Sequence, residues 1–264
     1  WVPMITDRCL GYYKITASRH GERLGSDMGI TNYYKKIKSV TRALKTVRGE
    51  AGQQVRLAII SEPEVEAELL SKWQAKGPNE VVFGINTLPD DETRRAKLQE
   101  TDLAMAIVSP GKSEKKLKQM VSMASRARKK LVVVTGREIN DWMVDNLADV
   151  FRVSGEDVLF VPVSDDRAVR TMLVPRVVKK IEGKEIALAA AVPAFKEEVA
   201  RRIILKTANQ NAVIGVAVFV PGADMPLLTI NQIKMVLRLS AVYNEELSAR
   251  RLYEVLAVVG GGFA

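Results

Sequence analysis

The chain has 264 residues, 47% of them hydrophobic and 27% charged, which suits one large domain or two modest ones and excludes a disordered polymer. A single cysteine, Cys9, and a single histidine, His20, exclude an intrachain disulfide, a Cys/His zinc site and a nucleophile oriented by a second histidine, and they point to a reducing compartment. The net charge of +9 is uneven: residues 1–50 hold ten Lys/Arg against four Asp/Glu, and residues 112–130 hold eight against Glu114 alone.

From Tyr33 onward apolar residues recur at three- and four-residue steps (Tyr33, Ile37, Val40, Leu44, Val47), and Lys35, Lys36, Lys38, Arg42, Lys45 and Arg48 fill the other face. That spacing predicts an amphipathic basic helix, suited to packing on the protein's own core or to lying on an anionic surface. Residues 1–54 are therefore read as a basic N-terminal segment.

Residues 55–182 alternate short apolar runs with helical stretches, the pattern of βα units in a parallel sheet. Strands are predicted over 55–60, 80–84, 103–108, 131–135 and 158–163. Helices are predicted over 64–74, 91–99, 114–129, 141–147 and 167–181, with Asp90, Ser113, Asn140 and Asp165 placed as N-caps.

The character changes near Glu182-Gly183-Lys184, and residues 183–264 predict an all-α domain. Its helices fall over 185–191, 194–208, 212–219, 230–243 and 249–259, the fourth opened by a Thr229/Gln232 capping box. The uncharged run 212–220 has about half the ~20 residues of a membrane span, so it should turn back at Pro221-Gly222 rather than cross a bilayer. Asp224, an acid inside this hairpin, needs a hydrogen bond or an ion partner. Trp1 in place of an initiator Met, and the glycine-rich end Gly260-Gly261-Gly262-Phe263-Ala264, predict a piece of a longer protein. The first residues show no basic stretch followed by an apolar core, so no secretory signal is expected.

An open parallel sheet invites a nucleotide at the carboxyl ends of its strands, held by a glycine-rich loop ending in Gly-Lys-Ser/Thr. After the first strand this chain has Ser61-Glu62-Pro63-Glu64-Val65-Glu66. No glycine lets the backbone approach a phosphate, no lysine binds it, and three glutamates would repel it. Pro110-Gly111-Lys112-Ser113 does read Gly-Lys-Ser, but the motif's first glycine would fall at Ala106, inside a strand, so Ser113 reads as an N-cap. The acid pairs Asp90-Asp91, Asp165-Asp166 and Glu197-Glu198 lie near helix starts or on charged faces, where carboxylates suit the dipole or solvent.

Two resemblances follow from particular residues. The run from Gln210-Asn211-Ala212 through Val220-Pro221-Gly222-Ala223-Asp224-Met225-Pro226-Leu227-Leu228-Thr229, with Asn231-Gln232 and Val236-Leu237-Arg238, resembles the uncharacterised domain family 697, of the YcjF type. That helical domain is found in bacterial GTPase-associated membrane proteins. Residues 55–182 look like the Ras-like GTPase fold that often precedes it. Thr135-Gly136-Arg137-Glu138 stands where that family reads guanine with Asn/Thr-Lys-x-Asp, Gly136 replacing the lysine and Glu138 the aspartate. Phe160-Val161-Pro162-Val163-Ser164 is similar to the last GTPase strand, with Asp165 in place of its alanine.

The resemblance implies a Ras-like (P-loop-type) α/β sheet without its phosphate loop, followed by an all-α domain. It implies a pseudo-GTPase scaffold or regulator, with Thr135, Gly136, Arg137, Glu138 and Ser164 as remnants of a nucleotide site. No catalytic residue, metal or cofactor is expected. Membrane or partner contact is assigned to Lys35, Lys36, Lys38, Arg42, Lys45, Arg48, Val216, Phe219, Pro221, Gly222 and Asp224. The partners implied are a second copy or another protein, and an anionic membrane surface reached from the cytoplasm. Competing readings are a divergent nucleotide-binding enzyme using Thr135, Ser164 and Lys112, and a nucleic-acid binder using the basic faces. The latter is disfavoured because few aromatics interleave with the lysines and no recognition motif is present.

Overall fold

The computed structural model describes residues 26–73, 81–109, 114–135, 141–217 and 225–245. Residues 1–41 and 42–264 form two units, and within the first only the N-terminal part of helix α1 (Ser26–Ala51) is described. In the second unit Ala43, Leu44 and Val47 of α1 are buried, while Arg42, Lys45 and Arg48 are exposed, so the last two positions of the apolar period lie on a packed face, while the side chains of Tyr33, Ile37 and Val40 lie outside the described set.

Five described strands, β1 (Leu57–Ile60), β2 (Val82–Gly84), β3 (Leu103–Val108), β4 (Lys129–Val134) and β5 (Val158–Phe160), form one parallel sheet in the order β2-β1-β3-β4-β5. Every residue of β1 and β3 is buried, as expected of a parallel sheet covered on both faces, whose strands are apolar runs rather than alternations. Helices α2 (Pro63–Trp73), α3 (Asp91–Gln99), α4 (Glu114–Ala124) and α5 (Asp141–Phe151) connect the strands. Ala58, Ile60, Ala104, Ala106, Val132 and Val134 meet Leu98, Ala124, Leu147 and Phe151 in one core cluster.

Local chemistry sets the helix ends. The Asp90 side chain accepts from the Thr93 N–H at 2.7 Å, and Asp165 accepts from the Arg167 N–H at 2.8 Å, both N-caps. Ser113 and Asn140 lie outside the described residues. α5 ends with Arg152 in the left-handed region (φ 53°), the Val153 N–H reaching the Ala148 carbonyl and the Arg152 N–H the Asp149 carbonyl, the Schellman pattern.

The basic run 112–130 departs from the expectation of one long helix. α4 stops at Ala124, and Lys129 already belongs to β4. The reason is tertiary. The Lys129 ammonium donates to the Lys180 carbonyl at 2.6 Å, and that of Lys130 to the Phe151 carbonyl at 2.7 Å. These lysines satisfy orphan carbonyls at the ends of neighbouring helices and so do not belong to a continuous solvated face.

After β5 the chain forms α6 (Asp166–Ala168), a π-helical stretch (Val169–Leu173) and α7 (Val174–Lys180), one continuous helical run over the predicted helix with a π segment inside it. Then come α8 (Glu185–Ala191), a 3₁₀ turn (Pro193–Phe195), α9 (Lys196–Ala217) and α10 (Met225–Val242). α9 is one helix where two were expected. Asn209, Gln210 and Asn211 read as a break, but the Asn211 Oδ1 accepts from the Asn231 amide at 3.1 Å on α10, so its side chain serves the helix pair and does not end the helix. α10 begins at Met225, with Pro226 in its first turn, where the missing N–H is harmless. Thr229 and Gln232 therefore lie inside the helix instead of capping it. The two helices are antiparallel: Lys196 lies over the Tyr243 ring at 5.7 Å near one end, and Asn211 meets Asn231 toward the other. Residues 218–224 between them, and the expected helix over 249–259, lie outside the described residues. Among the described residues no helix is long and apolar enough to cross a membrane.

Three polar ties bind these helices to their surroundings. Lys184 reaches Asp102, at the start of β3, at 2.7 Å. Arg238 on α10 holds Glu50 of α1 through two bonds of 2.9 and 2.7 Å. Buried Glu198 accepts from Arg201 at 2.8 Å and Arg202 at 2.6 Å, and Arg202 also donates to the Pro175 carbonyl of α7. Burial works to raise the Glu198 pKa, but the two guanidinium groups outweigh it and hold the carboxyl below the usual glutamate range. The group thus contributes stability above its unfolded pKa and loses it as pH falls through the folded one. Glu198→Gln is expected to lower stability by about 1–3 kcal/mol at neutral pH, discounted for the half-exposed arginines. It should also flatten the acid limb of the stability curve, as read by urea denaturation across a pH series. An acid limb as steep as in the parent would refute this role.

Candidate functional site

In a doubly wound sheet of order 2-1-3-4-5, the crevice opens at the carboxyl ends of the two strands between which the winding reverses, here β1 and β3. The residues that follow these strands are Ser61 and Ser109, with Thr135 following β4. The Thr135 hydroxyl donates to the Ser109 hydroxyl at 3.3 Å, and the Thr135 N–H continues the ladder to the Val108 carbonyl. The Ser61 Oγ is buried without a hydrogen-bond partner, while its carbonyl accepts from the Asn86 side-chain amide at 2.9 Å.

The three glutamates of the β1–α2 turn do not act alike. Glu64 is exposed, and Glu62 faces Lys116 at a long 3.9 Å. Glu66 is 1% exposed, so the expectation that it lies in the turn repelling an anion is corrected: the first turn of α2 points it inward, beneath the end of β2. There one carboxylate oxygen accepts from the Asn86 backbone N–H at 3.0 Å and the other from the Asn86 side chain at 2.7 Å. A Cβ on Gly84 would stand 1.9 Å from the first oxygen, so glycine is required for the carboxylate to lie on that backbone. Burial pushes the Glu66 carboxyl above the usual range, opposed by the hydrogen bonds from Asn86, Thr87 and Ile85.

Of the sequence-assigned nucleotide remnants, Gly136, Arg137 and Glu138 lie outside the described residues, as does the Pro110–Ser113 turn. Thr135 and Ser164 are engaged separately. Ser164 is exposed, and its carbonyl accepts from Lys72 at 3.0 Å. Lys72, which the sequence did not single out, also donates to the Val163 carbonyl at 2.8 Å and pairs with Asp166 at 2.8 Å and Glu68 at 3.1 Å. Burial works to lower its pKa, and Asp166 and Glu68 reverse that, keeping it charged. Four acceptors saturate an ammonium with three protons, so this lysine is a structural clasp for the chain after β5. It sits at the rim of a groove of about 430 Å³ floored by Trp73, Val169 and Val174.

For the contact residues, Lys38, Arg42, Lys45 and Arg48 are exposed. Lys35 and Lys36 lie on α1, with side chains outside the described set. Val216 is 78% exposed and Val213 68%. Phe219, Pro221, Gly222 and Asp224 lie outside the described residues. Among the described residues no group of three or more His, Cys, Asp or Glu side chains forms a metal site.

No family model matches the chain, and a search of curated proteins yields no significant match. What the site can do chemically therefore rests on its geometry. The residues that follow the strands at the switch point and β4 carry hydroxyls (Ser61, Ser109, Thr135), and the β1–α2 turn brings neither a glycine nor a lysine for phosphate.

Proposed function

We propose that this chain is a non-catalytic, GTPase-like scaffold or regulator in the cytoplasm, joined to a helical unit of the family-697 kind. It works at the inner face of a membrane or within a protein assembly. The observation that carries this reading is the β1–α2 turn. A Ras-like site would set glycines and a lysine there to surround a phosphate, whereas this chain has Ser61-Glu62-Pro63-Glu64 and folds the next acid, Glu66, into its own backbone. Gly136 and Glu138, in place of the lysine and aspartate that read guanine, support the same conclusion.

Contact with a partner is supported by the hairpin. Val213 and Val216 on α9 and Leu227 on α10 are at least half exposed, and apolar groups gathered on a soluble surface mark interaction sites. The exposed basic residues of α1 supply attraction to anionic lipid.

Titration of Mg-GTP or Mg-ATP by calorimetry is expected to give no binding in the micromolar range, and a dissociation constant near 1 μM (about −8 kcal/mol) would overturn the scaffold reading. On the same preparation, light scattering and co-sedimentation with anionic vesicles test association. Val216→Asp is expected to abolish whichever of oligomer or vesicle binding the parent shows, without loss of the folded sheet. A parent that is a plain monomer and ignores anionic vesicles at low salt would remove the association half of the proposal.

A further inference from the structure

We propose that Glu66 is an anion built into the fold: its carboxylate fills the amide cradle at the carboxyl end of β2 that would otherwise accept a carboxylate or phosphate from solution. The inference deepens the scaffold reading and rests on it for its meaning.

Space is the first argument. The Oε1, Cδ and Cγ atoms of Glu66 lie 1.9, 2.2 and 2.5 Å from where a Gly84 Cβ would stand. The carboxylate is therefore laid flat against the peptide backbone, as a bound anion is where glycine permits close approach. The donors are the second argument. The Asn86 N–H reaches both oxygens, at 3.0 and 3.3 Å, and the Asn86 side-chain amide reaches Oε2 at 2.7 Å.

Charge is the third argument. Glu66 is 1% exposed, and among the described residues no Lys or Arg forms an ion pair with it. A buried carboxylate without a cation is tolerated only where oriented N–H dipoles replace its water. Two methylenes are the reach needed to carry the charge from α2 to the end of β2. Asn86 closes the arrangement, because its side-chain amide bridges Glu66 and the Ser61 carbonyl at 2.7 and 2.9 Å. The turn beside the switch point is thus fastened from within, and a free anion finds its donors already taken.

The test is chemical rescue. Glu66→Ala removes the CH₂–COO⁻ end of the side chain, which acetate restores in shape and charge. Thermal denaturation of parent and variant is followed in sodium acetate against sodium chloride at matched ionic strength, with inorganic phosphate as a third arm. Acetate is expected to raise the midpoint of the variant by several degrees and leave the parent unchanged relative to chloride. Acetate and chloride acting alike on the variant would overturn the proposal. If Glu66→Ala fails to fold, Glu66→Met keeps the length of the side chain but removes both acceptors facing Asn86. Hydrogen exchange at the Asn86 amide should then accelerate at least tenfold, and unchanged protection would refute the cradle. Nucleotide titration reads none of these quantities, so the scaffold reading and the cradle can fail separately.

Discussion

Replacing Phe195 with alanine is expected to lower the unfolding free energy by about 3–5 kcal/mol, the range for deleting a fully buried aromatic ring. Phe195 is completely buried, and its ring meets Trp73 edge-to-face at 5.0 Å with an interplanar angle of 61°, a geometry that adds to the area term. Trp73 closes α2 and Phe195 closes the 3₁₀ turn before α9, so this pair is where the helical region grips the sheet region. The Trp73 indole N–H is buried without a partner, which leaves packing alone to hold the contact. Urea denaturation followed by tryptophan fluorescence and by far-UV circular dichroism measures the loss. The parent should unfold in one transition with both probes, and Phe195→Ala at a lower midpoint. A change under about 1 kcal/mol would mean that the void collapses and the contact carries little of the fold.

Gly84→Ala is the second large effect, expected at about 2–4 kcal/mol. The added methyl group meets the Glu66 carboxylate at 1.9 Å, so the buried side chain must shift away from its place on Asn86. Displacing it breaks its bonds to Asn86 and strands a buried charge, so overpacking and desolvation act together. The pair is also coupled. In Gly84→Ala/Glu66→Ala the new methyl group occupies space the carboxylate vacates, so the double variant should be more stable than the sum of the single losses predicts. Denaturant midpoints of the four proteins close the cycle. Strict additivity would show that the two residues do not compete for one space.

Much of the architecture is legible in the sequence wherever local chemistry decides. β3 is a continuous apolar run of six residues, bounded by polar ones. α3 follows its Asp90 cap, and α8 is an alanine-rich stretch between Lys184 and Val192, so the expected bounds of all three agree with the structure. Where a distant partner decides, local reading fails. Arg126–Lys130 has the polarity of a helix face, but Lys129 and Lys130 answer to carbonyls of α7 and α5. Asn211 has the propensity of a breaker, but it bonds to Asn231 of α10. The composition of the β1–α2 turn, with neither glycine nor lysine, is plain in the sequence. The role of Glu66 is not, since a glutamate in an acidic run looks solvated until the fold lays it over Gly84. The local hint is a glycine at the end of an apolar strand, followed by Ile-Asn-Thr.

The bidentate bond between Arg238 and Glu50 has a consequence for the order of events during synthesis. Its partners are 188 positions apart, so the loop it closes encloses all five described strands, and closing it carries a large entropy cost. A chain emerging amino end first exposes α1 early and completes α10 late. Throughout that interval Glu50 waits without its arginine, and the apolar stripe at Ala43, Leu44 and Val47 waits for the mature core to cover it. α1 is therefore made long before its fastening partner on α10, and nascent chains that stop short of α10 leave its apolar stripe open to other hydrophobic surfaces.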